Sequence, residues 1–270
     1  MTGTRPVVAV AGPMVPAEVI RAHGFEPVAL MPLAAAGVSV SAGVCAAARG
    51  WCAAVAEAET RLAAAVLTTR CDQFRREAEA LRGRVRLPVF VMNVPATHGT
   101  VVAQRLYREE TQRLDDFLGK VPHDVAAVSE TAWRVATVNA KPGRHRVGLL
   151  GCCLGEADTG VLAILGNAGL EIILDALEPP FETRPLIRQR PNAPFFDWLR
   201  TVGTAHSLDG WVLLRQTWCD VFRAEEPRLK QATELPWLVV ETGARPALET
   251  IRTRAEAFAE QLDARRGGRA

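Results

Sequence analysis

One short motif occurs twice in this 270-residue chain. Cys71-Asp72-Gln73-Phe74-Arg75-Arg76-Glu77 and Cys219-Asp220-Val221-Phe222-Arg223-Ala224-Glu225 both read Cys-Asp-x-Phe-Arg-x-Glu. Leu87-Pro88 and Leu235-Pro236 follow their cysteines at the same distance, and a strand-like run precedes each cysteine. A strand ending in a glycine turn opens each half, at Gly12 and at Gly151. A duplication of this kind restricts the chain to two copies of one folding unit.

Hydrophobic patterning identifies the unit. Residues 7–11 form a β-branched run stopped by Gly12-Pro13. Residues 16–24 read as a helix, with proline and an acid in the first turn and a closing glycine. A strand at 28–31, an Ala-rich helical stretch at 45–65, a strand at 66–69, a helix to about 82, a strand at 89–92 and a long charged helix at 98–118 follow. The second series runs strand 147–151, helix 160–168, strand 170–174, a Pro-rich loop at 178–194, strand 210–214, a helix after Cys219-Asp220, strand 238–240 and a closing helix at 247–265. Strands alternating with helices of this length imply βαβ units and a mostly parallel sheet. The expected fold is α/β, with two similar doubly wound parallel-sheet halves (Rossmann/flavodoxin-like) and a metal site in the crevice between them. The expected boundaries are an N-terminal domain at 1–120 with Cys45 and Cys71, a linker at 121–145 with some helix around 130–138, and a C-terminal domain at 146–270 with Cys219.

Composition narrows the function classes. With 49% apolar and 23% charged residues the chain has the make-up of a globular protein. A net charge of +2 lacks the strong basic excess of a general nucleic-acid binder. The N-terminus has no signal-peptide pattern, and no apolar stretch approaches the ~18–20 residues that cross a bilayer. A cytoplasmic location, with no membrane and no nucleic-acid partner, is therefore expected. In a reducing compartment, six cysteines point to metal binding or catalysis before disulfides.

Cys71 and Cys219 each lie at a strand end just before a helix. Ligands of open parallel sheets bind beyond those strand ends, and the N–H groups that open a helix favour a thiolate. Asp72 and Asp220 are expected as helix caps. Cys45, at another expected helix start, is the best third ligand. Three sulfurs with an open fourth position suit a [4Fe–4S] cluster or a catalytic zinc, and spacing does not choose between them. Cys52, two helical turns after Cys45, reads as core. Cys152-Cys153, after the turn at Gly151, read as buried or redox-sensitive thiols rather than ligands. His98, near a strand end, reads as a helix-start or surface residue rather than a base. Arg252 and Arg254 read as surface residues of the last helix.

At this point the chain resembles the D-component superfamily of 2-hydroxyacyl-CoA dehydratases, which includes benzoyl-CoA reductase subunits. The matching pieces are Pro16-Ala17-Glu18 with Ala22-His23-Gly24, Cys45, Thr69-Arg70-Cys71-Asp72, Tyr107-Arg108-Glu109-Glu110, and Arg146-Val147-Gly148-Leu149-Leu150-Gly151. Leu208-Asp209-Gly210-Trp211-Val212, Trp218-Cys219-Asp220, Glu225-Glu226-Pro227-Arg228-Leu229-Lys230 and Ile251-Arg252-Thr253-Arg254-Ala255-Glu256-Ala257-Phe258 complete the set. The resemblance implies a subunit that pairs with a related cluster-bearing subunit, as a homo- or heterodimer. It implies that Cys45, Cys71 and Cys219 hold a [4Fe–4S] cluster with one open iron site. A separate ATP-dependent activator protein would deliver single electrons, passed on to the carbonyl of an acyl-CoA thioester to form a ketyl radical. Family members usually carry an N-terminal helical region and a longer insertion before the last cysteine, whereas here the first strand is expected to begin by Pro6 and the second half to be compact. Two other expectations stay open: a non-catalytic electron-transfer or scaffold subunit of such a complex, and a metal-free α/β binding module.

Overall fold

The computed structural model describes residues 5–33, 43–124, 142–177, 181, 185–243 and 246–267. The chain divides into two compact units. Unit 1 takes residues 1–136 with 179–184 and 188–191, and unit 2 takes 137–178, 185–187 and 192–270. Among the described residues, no helix is long and apolar enough to cross a membrane.

Unit 1 is built from β1 (Val7–Ala11), α1 (Ala17–Ala22), β2 (Glu26–Val28), α2 (Ala46–Glu57), β3 (Leu62–Thr68), α3 (Asp72–Arg82), β4 (Val89–Met92) and α4 (Val101–Leu118). Its strands form one parallel sheet in the order β2-β1-β3-β4. Every residue of β1 and β3 is buried, as expected of parallel strands covered on both faces. The period-2 alternation of a strand sends Val7, Ala9 and Ala11 to one core with Trp51 and Leu81. Val8 and Val10 face the other core, with Ile20 and Leu114.

Unit 2 repeats the plan with β5 (His145–Gly151), α5 (Thr159–Asn167), β6 (Leu170–Leu177), α6 (Ala193–Ala205), β7 (Gly210–Gln216), α7 (Asp220–Ala232), β8 (Trp237–Thr242) and α8 (Leu248–Gly267). The sheet order β6-β5-β7-β8 is that of unit 1, and all its neighbours are parallel. The α/β reading and the duplication are therefore both present in the fold. In each sheet the chain reverses its direction of strand addition between the first and third strands, β1/β3 and β5/β7. That is the topological switch point, and ligands of such sheets bind at its carboxyl edge.

Several local expectations differ from the structure. The alanine-rich stretch 45–65 is not one helix, because α2 ends at Glu57 and Ala63-Ala64-Ala65 lie in β3. Alanine's helix preference is at most about 0.7 kcal/mol per residue over other ordinary residues. Pairing on both sides of a buried central strand outweighs it, and small side chains fit between two helical layers. β2 covers Glu26–Val28 rather than 28–31, anchored by the Glu26 N–H donating to Pro6 O at 2.9 Å. α6 was not foreseen; it buries Phe195, Leu199 and Gly203 at helical spacing. The helix expected around 130–138 lies outside the described residues.

Candidate functional site

The three candidate ligands share one local geometry. Cys45 is the N-cap of α2, Cys71 of α3 and Cys219 of α7. None of these cysteine side chains makes a cap hydrogen bond. Each sulfur is thus carried at a helix N-terminus, where the dipole stabilises negative charge. Cys45 and Cys219 are buried and Cys71 is half-buried, and none of the six cysteines is in a disulfide. Among the described residues, no group of three or more His, Cys, Asp or Glu side chains gathers so as to hold a metal ion.

Within unit 1 the Cys45 and Cys71 helices are linked through Gln73. Its side-chain oxygen accepts from the Cys45 backbone N–H at 3.3 Å, two residues into the helix that Cys71 begins. The corner before Cys71 is braced from α4. Glu110 Oε2 accepts from the Asn93 N–H at 2.8 Å, and Asn93 Oδ1 accepts from Thr69 Oγ1 at 3.0 Å. Tyr107 donates its hydroxyl to Met14 O at 2.9 Å, across the turn that follows β1. The Tyr107-Arg108-Glu109-Glu110 segment thereby holds both loops of the unit 1 switch point in place. No spacing rule reveals that brace, because it is made by side chains meeting backbone far away in sequence.

The aspartates after the cysteines do not cap. Asp72 instead accepts from Arg75 at 2.7 Å and from Arg76 at 2.9 Å, and those hydrogen bonds hold its carboxyl below the usual range. The repeated glutamates are both buried. Glu225 Oε2 accepts from Asn192 Nδ2 at 3.1 Å and from Arg228 at 3.2 Å. Burial raises the Glu77 carboxyl, against the pull of Arg84 and Arg49.

Cys52 is core, as read from the sequence. It lies in the α2–α3 side of the unit 1 core, and burial, with Glu77 adding to it, pushes its thiol up to about 12. A thiol so disfavoured as thiolate is a poor nucleophile at neutral pH. Cys152 is buried in the same apolar cluster of unit 2 as Cys219, and Cys153 is half-buried. His98 donates its backbone N–H to Arg190 O at 3.3 Å, and its Nδ1 is buried with no hydrogen-bond partner among the described residues. Arg252 pairs with Glu249 at 3.0 Å on the exposed side of α8.

Unit 2 carries a polar cluster that sequence reading missed. Asp158, in the loop after β5, is 1% exposed, and Gln216 and Thr242 end β7 and β8. Asp158 Oδ2 accepts from the Gly155 N–H at 2.7 Å and from Gln216 Nε2 at 3.1 Å. Burial raises its carboxyl, while the Gly155 and Gln216 hydrogen bonds oppose the rise. The only sequence signal was an acid shortly after the Gly151 turn, which is common in any α/β loop.

A search of curated proteins finds no match to this chain. The family comparison does find one, and it falls inside unit 1, taking in Met14, Cys45, Cys71, Tyr107 and Glu110. Over residues 13–129 the chain matches the model of the 2-hydroxyglutaryl-CoA dehydratase D-component family, and the resemblance to that superfamily is thereby upheld for this segment.

Proposed function

We propose that this chain is the iron–sulfur component of a 2-hydroxyacyl-CoA dehydratase-like or benzoyl-CoA reductase-like system, with Cys45, Cys71 and Cys219 as ligands of one [4Fe–4S] cluster. The observation that carries the reading is the family match over 13–129. It contains two cysteines at helix N-termini, and the duplicated unit supplies a third in the same local setting. What supports the reading is the donor type: iron–sulfur clusters take cysteine sulfur, and each of the three cysteines stands at a helix N-terminus. When bound, such a cluster supplies single electrons and Lewis acidity toward a thioester carbonyl.

The chain's own residues would hold and position. Gln73 ties the Cys45 turn to the Cys71 helix, and Glu110, Asn93 and Thr69 fix the corner before Cys71. Apolar packing around Cys219, from Phe222 and Leu213 among others, keeps water from its sulfur. The reading further includes a cytoplasmic location, pairing with a related subunit, and reduction by an ATP-dependent activator protein.

Anaerobic purification with iron and acid-labile sulfide analysis tests the assignment. About four irons per chain are expected, with loss of visible absorbance and of the reduced-state paramagnetic signal in Cys45→Ser, Cys71→Ser and Cys219→Ser. Cys52→Ser should keep both. A folded, colourless, iron-free wild-type protein would overturn the reading.

A further inference from the structure

The two units end their matching strands differently. Aligned on the repeated motif, Gln216 stands where unit 1 has Thr68, and Thr242 stands where unit 1 has Val94. Gln216 and Thr242 are sealed from solvent together with Asp158. The shared frame does not require this polar set, because unit 1 has the same sheet order and fills the Thr242 position with a buried valine.

Each of the three residues carries an oxygen with no hydrogen-bond partner among the described residues: Oδ1 of Asp158, Oε1 of Gln216 and Oγ1 of Thr242. Gln216 and Thr242 are register partners at the ends of β7 and β8, so their side chains leave the sheet on one face. The Gln216 amide reaches Asp158 there, donating to Oδ2 at 3.1 Å. The Gly155 N–H also donates to Oδ2, so the open positions around Asp158 belong to Oδ1. Among the described residues, no Lys, Arg or His pairs with this carboxyl.

A carboxylate buried without a counter-charge is far more costly than a buried neutral group. Water would satisfy hydrogen bonds here and leave the charge. A proton on Oδ1 would remove the charge and serve one of the two other oxygens. A cation removes the charge and takes lone pairs from all three. Hard oxygen donors suit alkali and alkaline-earth ions rather than soft metals, and one carboxylate balances one positive charge. We propose that Asp158, Gln216 and Thr242 hold a monovalent alkali cation, sodium or potassium, inside unit 2. The site is independent of the cluster assignment.

The test is thermal unfolding of the anaerobically purified full chain in sodium, potassium or choline chloride at equal ionic strength. Sodium or potassium should raise the midpoint saturably, by about 2–4 °C over choline, and the more effective ion is the occupant. Asp158→Asn should abolish the shift. Thr242→Val keeps the shape and removes one oxygen, and should raise the half-saturating concentration about tenfold, the weight of one contact to a charge. Circular dichroism checks that both variants fold; if Asp158→Asn does not, Thr242→Val decides. Equal midpoints in all three salts overturn the proposal and leave water or a proton in the cation's place. A full shift in Asp158→Asn, or unchanged saturation in Thr242→Val, also overturns it, because the ion then acts elsewhere. The iron–sulfur reading stands or falls separately from each of these outcomes.

Discussion

Units 1 and 2 place a cysteine at the same point of the same fold, yet they finish that corner differently. In unit 1 the preceding residue, Arg70, is buried, Phe74 is half-buried in an edge contact with Trp51 at 6.2 Å, and Arg75 grips Asp72. In unit 2, Trp218 is turned out, Phe222 is fully buried, and Arg223 leaves Asp220 for Glu241 at 3.3 Å. The motif residues are the same; their partners are not. Both units keep the strand–cysteine–helix geometry, with the cysteine opening the helix that follows the third strand of a sheet of the same order. The surrounding side chains differ between the units at the carboxyl edge of each sheet.

The largest expected effect tests what the corners share. If both cysteines are ligands, Cys71→Ser and Cys219→Ser should each abolish cluster absorbance, although one side chain is half-buried and the other buried. Retention of the cluster in either variant would break the equivalence.

The next tests what they do not share. Phe222→Ala should cost about 3–5 kcal/mol of stability by urea denaturation, the range for deleting a fully buried phenylalanine. Phe74→Ala should cost clearly less, since water already covers part of the ring. Equal costs would mean that the burial difference has no energetic weight.

A smaller effect concerns Asp158. A carboxyl raised in the folded state binds its proton more tightly there than in the unfolded chain, so its contribution to stability is complete below the ordinary value of 3.8. That contribution is lost as pH rises through the raised folded value. Asp158→Asn, which stays neutral, should lack this decline in a pH series of denaturation midpoints. An unchanged slope would exclude Asp158 as its source.

Smallest of all, Trp218→Gly should shift stability by about 1 kcal/mol or less. Relief of the left-handed backbone is offset by glycine's greater freedom in the unfolded chain. A loss of several kcal/mol would show instead that the indole packs as a structural element.

Much of this was readable from residue order. The repeated motif announced two equivalent units, and the strands at 7–11 and 89–92 stand where the apolar runs placed them. Cys52 was recognised as core from its place on an alanine-rich helix. Other features were hidden for physical reasons. Ala63–Ala65 carry a helix signal that burial in a central strand overrides. Asp72 looks like a cap, but nearby arginines offered its carboxylate stronger charge-assisted bonds.

By itself the sequence determined the α/β alternation, the duplication and the candidate sulfurs, because periodicity, glycine turns and motif repeats are local properties of the chain. Only the tertiary structure decided that Gln73 ties Cys45 to the Cys71 helix, that Glu110 braces Asn93, that Asp158 is sealed away with Gln216, and that Trp218 is held out at positive φ. Each of these arises from groups brought together across the sheet's carboxyl edge, where partner identity depends on which strands become neighbours rather than on which residues are adjacent.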